Sequence, residues 1–302
     1  MPATRLKRFG AARTVPARSP FRLDLTVDAL RRLASNVVDV VGPDGTYYRA
    51  LHDAAGTELV AVRAHGAASI DVRATGPDSE RWEPVVTRML GTQADLREWY
   101  ARSREIDWLA PIVRTLRGLK PPRYATLWEA CAHAILFQQI SIHAAASIMH
   151  RAVEMLGDTV TAGTVRCVAF PPPQHWLEAS DAQLQGAGIS RNKIAHLRSA
   201  AEAVASGLIG EALLDGVPTP EAAERLCTVR GIGAWSASVI LLRGLGRLDT
   251  FPLRDSGVAR TLTMLAGRTH VDQAELLERL GPVKGMLYYH LLLGRLRNLA
   301  PR

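Results

Sequence analysis

The sequence predicts an α+β protein: a small N-terminal antiparallel sheet domain followed by a two-lobed all-α part. Three observations carry this expectation. From Phe21 to about Gly76, β-formers alternate or cluster in LDLTV, TYYRAL, ELVAVRAH and SIDVRAT, with turn signals at Pro43-Asp44-Gly45, Ala55-Gly56 and Gly66. From Asp78 onward the period changes to that of helices. Deep in the second part, Gly231 and Gly233 break the pattern between two helical segments, the second carrying Trp235, Val239 and Leu242 at helical spacing.

Taken in order, residues 1–20 are basic and contain Pro16 and Pro20, and are expected to be a flexible arm. Residues 21–110 form the α+β domain, with one helix over DALRRLAS between its first two strands and helical signals in WEPVVTRML and LREWYARS after Asp78. Residues 111–302 form the helical part, with the hairpin at 220–245 between its lobes and eight to ten helices after Asp78. Thr126-Leu127-Trp128-Glu129 has capping-box spacing, as do Ser180–Gln183 and Asp272–Glu275, and Ser141 is placed to cap the next helix. At 302 residues the chain exceeds what one core usually serves.

Net charge is +8 with a pI near 9.8, and the basic excess is spread along the chain. That balance suits a polyanionic partner without identifying one. Three separated cysteines, none in a CxxC pair, argue against a disulfide framework or structural zinc and for a reducing compartment. No apolar run reaches the ~18 residues of a membrane span, and no signal-type apolar segment opens the chain. The expected location is cytoplasmic.

The hairpin stretch reads VRGIGAWSA, then a helix, then DTFPLRD ending on Asp255. Glycines in so tight a turn supply φ > 0 and allow close backbone approach. The turn also leaves N–H groups free at a helix N-terminus, where an anion such as phosphate is favoured. Asp255 precedes SGVARTLTML and is placed as that helix's N-cap. Trp235, read alone, packs an apolar helix face.

Together these segments, with ILFQQIS at 135–141 and GISRNKIAHL at 188–197, resemble the helix-hairpin-helix Gly/Pro-Asp DNA glycosylase superfamily. The tryptophan in the hairpin resembles the 3-methyladenine DNA glycosylase II branch. The resemblance extends from about Thr126 to Leu293. It implies a monofunctional glycosylase that removes alkylated bases flipped from duplex DNA, in base-excision repair. Asp255 would be the catalytic carboxylate. Trp235 would line the base pocket and stands where bifunctional relatives carry a Schiff-base lysine.

The glycine amides of Gly231 and Gly233 would grip phosphate, with Arg230, Arg191, Lys193 and Arg254 as further DNA contacts. Gln139 falls at the wedge position, with Gln138 steadying the turn, although wedges are usually apolar. The late helix reads Gly281-Pro282-Val283-Lys284 where the family pattern has an aromatic, so Trp128, Tyr288 and Tyr289 are the substitute pocket walls. For each of these a plainer reading stands beside the functional one: solvated arginine, exposed turn glutamine, core aromatic. The resemblance implies no metal or cofactor beyond a monovalent cation at the hairpin. It also implies a monomer, nucleoid-associated, with damaged double-stranded DNA as partner. Two rival readings are a non-catalytic helix-hairpin-helix DNA-binding protein and a bifunctional glycosylase/lyase.

Overall fold

The structure, a computed structural model, describes residues 8–267 and 271–299. Five strands form one antiparallel sheet: β1 (Arg13–Pro16), β2 (Asp39–Val41), β3 (Tyr47–Asp53), β4 (Gly56–Ala64) and β5 (Ser69–Ala74), in the order β1-β5-β4-β3-β2. Register is fixed by pairs such as Tyr47 with Val62 and Val15 with Ile70, all four buried. A one-residue slip would turn those side chains to water.

The first strand corrects the expectation of a flexible arm over 1–20. Residues 13–16 pair with β5, and residues 1–7 of that arm lie outside the described residues. RTVP offers only one buried apolar side chain, so its alternation is too short to read in sequence. The N-terminal helix runs Leu23–Arg31 and buries Leu25, Val27 and Leu30.

The second part divides into more and shorter helices than the eight to ten expected, because Gly and Pro interrupt the long periodic stretches. Nor is it all-α. Thr159–Ala162 (β6) and Val165–Val168 (β7) form a two-stranded hairpin about Gly163, at φ +60°. The β-branched run TVTAGTV carried that signal. Predicted caps form at Ser141, Ser180 and Asp272. Thr126 also caps its helix, but the Glu129 side chain turns away to an arginine, so that box is only half made.

Two hydrophobic cores meet at the hairpin. One holds Val60 and Val72 of the sheet with Cys131, Leu197 and Ile240; the other holds Leu25 and Trp99 with Leu265, Leu287 and Leu242. Ile240 and Leu242 lie on one continuous helical segment and enter different cores, which seats that segment in the seam. Burial of each such side chain contributes roughly 1.5–3 kcal/mol.

Two buried arginines fasten the sheet domain to the helical part. Arg49 Nη1 donates to Asp39 Oδ1 at 2.6 Å and Nη2 to Glu129 Oε2 at 2.5 Å, all three residues about 2% exposed or less. Desolvation pushes the Glu129 carboxyl up, opposed by that guanidinium. Arg243 donates to the carbonyls of Ala29 and Leu30, each at 3.1 Å, and its guanidinium lies 4.7 Å from the Tyr124 ring centroid. It thus satisfies the last carbonyls of the N-terminal helix.

Candidate active site

The hairpin is built from helix Thr219–Cys227, with Pro220 in its first turn, a connection through 228–233, and helix Ala234–Ile240 continuing as a π-helical turn over Leu241–Leu245. Gly231 adopts φ +92°, and a Cβ there would sit 2.4 Å from the Cβ of His196. No other residue fits without displacing helix Arg191–Ala205. Gly233 is different. It is exposed, extended, and heads its helix with no side-chain cap, and a Cβ there would meet open space. The amides of the first turn are therefore left for an external acceptor.

The 137–141 turn is tied to the hairpin by Gln138. Its Nε2 donates to Gly231 O at 2.9 Å and to Ser236 Oγ at 2.7 Å. Gln139, next along, is exposed at φ +58°, and Ile140 after it is 39% exposed. The turn thus presents a polar and an apolar side chain side by side. Lys193 is not a surface contact. Its Nζ donates to Leu136 O at 2.7 Å and Gln138 O at 2.9 Å, and burial pulls its pKa down. It holds the C-terminus of helix Leu127–Leu136 and so the turn itself. Arg191, Arg230 and Arg254 are exposed, Arg254 at φ +60°.

Asp255 caps helix Ser256–Ala266, its Oδ1 accepting from Gly257 N at 2.9 Å and Val258 N at 3.0 Å. Its other oxygen accepts from Trp235 Nε1 at 3.1 Å. The carboxylate is half-buried, so it is neither sealed in the interior nor fully solvated. The amides and dipole hold one oxygen of this cap, and the indole orients the other. Arg295 approaches the same helix end. The point where Gly257 would carry a Cβ lies 3.2 Å from Asp255 Oδ1 and 3.8 Å from Arg295 Nη1.

The aromatic expectations divide. Trp235 is half-buried and bonded to Asp255. Tyr288 is 9% exposed, and its hydroxyl accepts from Arg32 Nη2 at 3.2 Å. Trp128 and Tyr289 are corrected from pocket walls to core. Trp128 is 2% exposed with its Nε1 on Pro171 O, while the Tyr289 hydroxyl, wholly buried, donates to the carbonyls of Pro122 and Leu242. In both, the polar atom is satisfied inside, as a buried aromatic handle requires.

Sequence reasoning missed Arg32, Phe137, Ser236 and Arg295. The Arg32 guanidinium lies 4.6 Å from the Phe137 ring centroid. Phe137 immediately precedes Gln138 within the ILFQQIS segment. The pair borders a small cavity of about 40 Å³, lined also by Leu30, Val38, Ile142 and Met149. It does not reach Trp235 or Asp255.

A hairpin whose bare helix end lies beside an N-capping carboxylate, joined to it by the Trp235 indole, defines a helix-hairpin-helix module. Comparison makes this specific. Residues 132–283 match the HhH-GPD superfamily base excision DNA repair protein model, and the chain belongs to that superfamily.

Among curated proteins, the chain is 27% identical over 171 residues to DNA-3-methyladenine glycosylase of Bacillus subtilis, covering 57% of this chain and 56% of that protein. It is 28% identical over 170 residues to DNA-3-methyladenine glycosylase 2 of Escherichia coli, covering 56% and 59%. The matches thus span little more than half of each relative. In three dimensions the 3-methyladenine DNA-glycosylase from Archaeoglobus fulgidus superposes with a TM-score of 0.80 at 24% identity, over 96% of this chain and 100% of that one. This likeness establishes the fold, sheet domain included.

Proposed function

We propose that the protein is a monofunctional DNA glycosylase that hydrolyses the N-glycosidic bond of alkylated bases of the 3-methyladenine type, flipped out of duplex DNA, in base-excision repair. The observation that carries this reading is the Asp255 carboxylate, fixed by Trp235 and two amides next to the glycine turn. As the bond from C1′ to the base nitrogen lengthens, positive charge grows on the sugar, and a pre-oriented carboxylate stabilises it. The base leaves with the bond's electron pair, which neutralises its charge, and water adds at C1′ and gives up a proton to the Asp255 carboxylate or to solvent. A cationic alkylated purine is already a good leaving group and needs little acid help.

The hairpin supplies grip. Amides at Gly233 and the first turn bind a phosphate, and Arg230 and Arg191 add charge along the backbone. Gln139, with Ile140 beside it, fills the space that the base vacates. The reaction needs no cofactor; a monovalent cation at the hairpin would strengthen the phosphate grip. The chain acts as a monomer on damaged duplex in the nucleoid; among the described residues, no helix is long and apolar enough to cross a membrane.

The indole at 235 supports water rather than an amine as acceptor. Release of free base from duplexes carrying 3-methyladenine, 7-methylguanine, hypoxanthine or uracil tests the reading. Methylated purines should be released, and borohydride should trap no covalent DNA adduct. Binding to DNA with no release from any lesion would favour a non-catalytic damage-binding role, and a trapped adduct a glycosylase/lyase.

A further inference from the structure

We propose that the groove between helix Arg97–Ser103 and helix Leu109–Thr115 is an anion site separate from the hairpin, which takes a ligand carrying at least two phosphate groups. The inference goes beyond the glycosylase reading and stands without it. No residue of the groove belongs to the hairpin, to the 137–141 turn or to the Asp255 loop.

Each helix turns one face to the groove. Positions 97, 100, 101 and 104 follow the i, i+3, i+4, i+7 spacing of a single helical face. Positions 110, 113, 114 and 117 do the same, the last held in the closing turn by its N–H on Arg114 O. Facing helices usually close on each other with apolar side chains. Here Ala101 and Ala110 have no side chain long enough to fill the middle, and about 390 Å³ stays open. Four arginines, Arg97, Arg104, Arg114 and Arg117, line that space, and no acidic residue does.

The positive charge is in excess. Arg97 shares Asp95 with Arg18, at 2.6 and 3.2 Å, and Arg104 has Glu105 at 3.0 Å. Arg114 and Arg117 meet no carboxylate among the described residues. Glu98, on the same helix, is committed elsewhere, to Arg102, which also donates to Arg279 O. An anion in the groove would offset the surplus.

Arg117 is also held in place. Its guanidinium lies 4.8 Å from the Tyr100 ring centroid, and the Tyr100 hydroxyl accepts from Gly118 N at 3.2 Å. A guanidinium stacked on a fixed ring keeps its N–H edge for phosphate oxygens. Ser103 lines the same groove at 1% exposure, and its Oγ has no hydrogen-bond partner among the described residues. Buried hydroxyls are normally paired, so this one marks a partner still to come. Arg97 and Arg104 stand two turns apart, about 10 Å along the helix. A single phosphate would leave one end of the groove unmatched, which sets the minimum at two.

A free polyphosphate and the backbone of a nucleic-acid strand both present such groups. The test titrates the full chain with inorganic pyrophosphate by calorimetry and with an undamaged DNA duplex by fluorescence anisotropy. Three proteins are compared: wild type, the double variant Arg114→Gln/Arg117→Gln, and Ala101→Leu. Ala101 is exposed, so leucine there keeps the fold and every charge while filling the groove. Both variants should weaken binding of one probe or both by roughly tenfold or more. If duplex affinity falls, and the double variant lowers the slope of log affinity against log salt by about two, the ligand is a nucleic-acid backbone. If only pyrophosphate binding falls, it is a free polyphosphate. Unchanged affinity for both probes overturns the inference, and so does a loss confined to one variant, because diffuse charge or altered packing alone would produce it. Base release is read separately, so failure of the glycosylase reading would leave this result standing.

Discussion

Trp235 Nε1 and Asp255 Oδ2 are 3.1 Å apart, while the second oxygen of the same carboxylate is held by the amides of Gly257 and Val258. The tryptophan belongs to the hairpin and the aspartate to a different helix. The hairpin and the helix that Asp255 caps are therefore joined by one hydrogen bond.

Trp235→Phe keeps a ring and removes that donor. A hydrogen bond to a charged group contributes about 1.5–3 kcal/mol. Single-turnover excision should slow by roughly ten- to a hundredfold, with DNA affinity changed little. An equal loss in both would mean that the ring packs the hairpin and does not orient the carboxylate.

Gly231→Ala places a Cβ against His196 at a backbone angle that disfavours any side chain. Thermal unfolding should show a loss of about 1–3 kcal/mol, together with weaker DNA binding. Gly233→Ala, whose Cβ meets open space, should cost far less stability.

Lys193 and Arg230 should separate in a salt titration. Arg230→Ala should reduce the slope of log affinity against log salt by about one, because an exposed arginine acts on phosphate directly. Lys193→Met should leave that slope alone. It should instead destabilise the 137–141 turn, whose carbonyls the ammonium holds.

His290 gives an acid dependence. It is buried against Trp99, and desolvation lowers its pKa from 6.5 to about 4. Between those values the unfolded chain binds a proton that the native state refuses, so stability falls as pH drops from 6.5 towards 4. His133, driven well below 6.5 by burial and by Arg32, Arg243 and Arg49, acts in the same direction. Denaturant titrations at pH 7, 5.5 and 4 should show this decline, and His290→Phe should flatten part of it.

Local chemistry was legible in the sequence; long-range pairing was not. The glycine turn, the caps at Ser141 and Asp272 and the position of Asp255 depend on residues within one or two turns, and these were read correctly. Strand β1 was missed because four residues with one buried side chain carry almost no periodic signal. Trp128 and Tyr289 were misplaced because an aromatic on an apolar helix looks the same in core and pocket. Only the hydrogen bonds to Pro171, Pro122 and Leu242 separate the two. Lys193 reads as a surface cation in GISRNKIAHL, and its partners come from a helix far away in the chain. Arg32 shows no motif at all; its contacts come from Phe137 and Tyr288, which arrive from two other elements.

The most direct measurement is base release by Asp255→Asn at saturating enzyme. Asparagine caps a helix about as well as aspartate; its amide oxygen keeps the bonds from Gly257 and Val258 while its NH2 gives up the one from Trp235, so fold and DNA affinity should be retained while the negative charge is lost. The account predicts a fall in excision of at least about a hundredfold with near-native melting and DNA binding. Excision within a few-fold of wild type would contradict it.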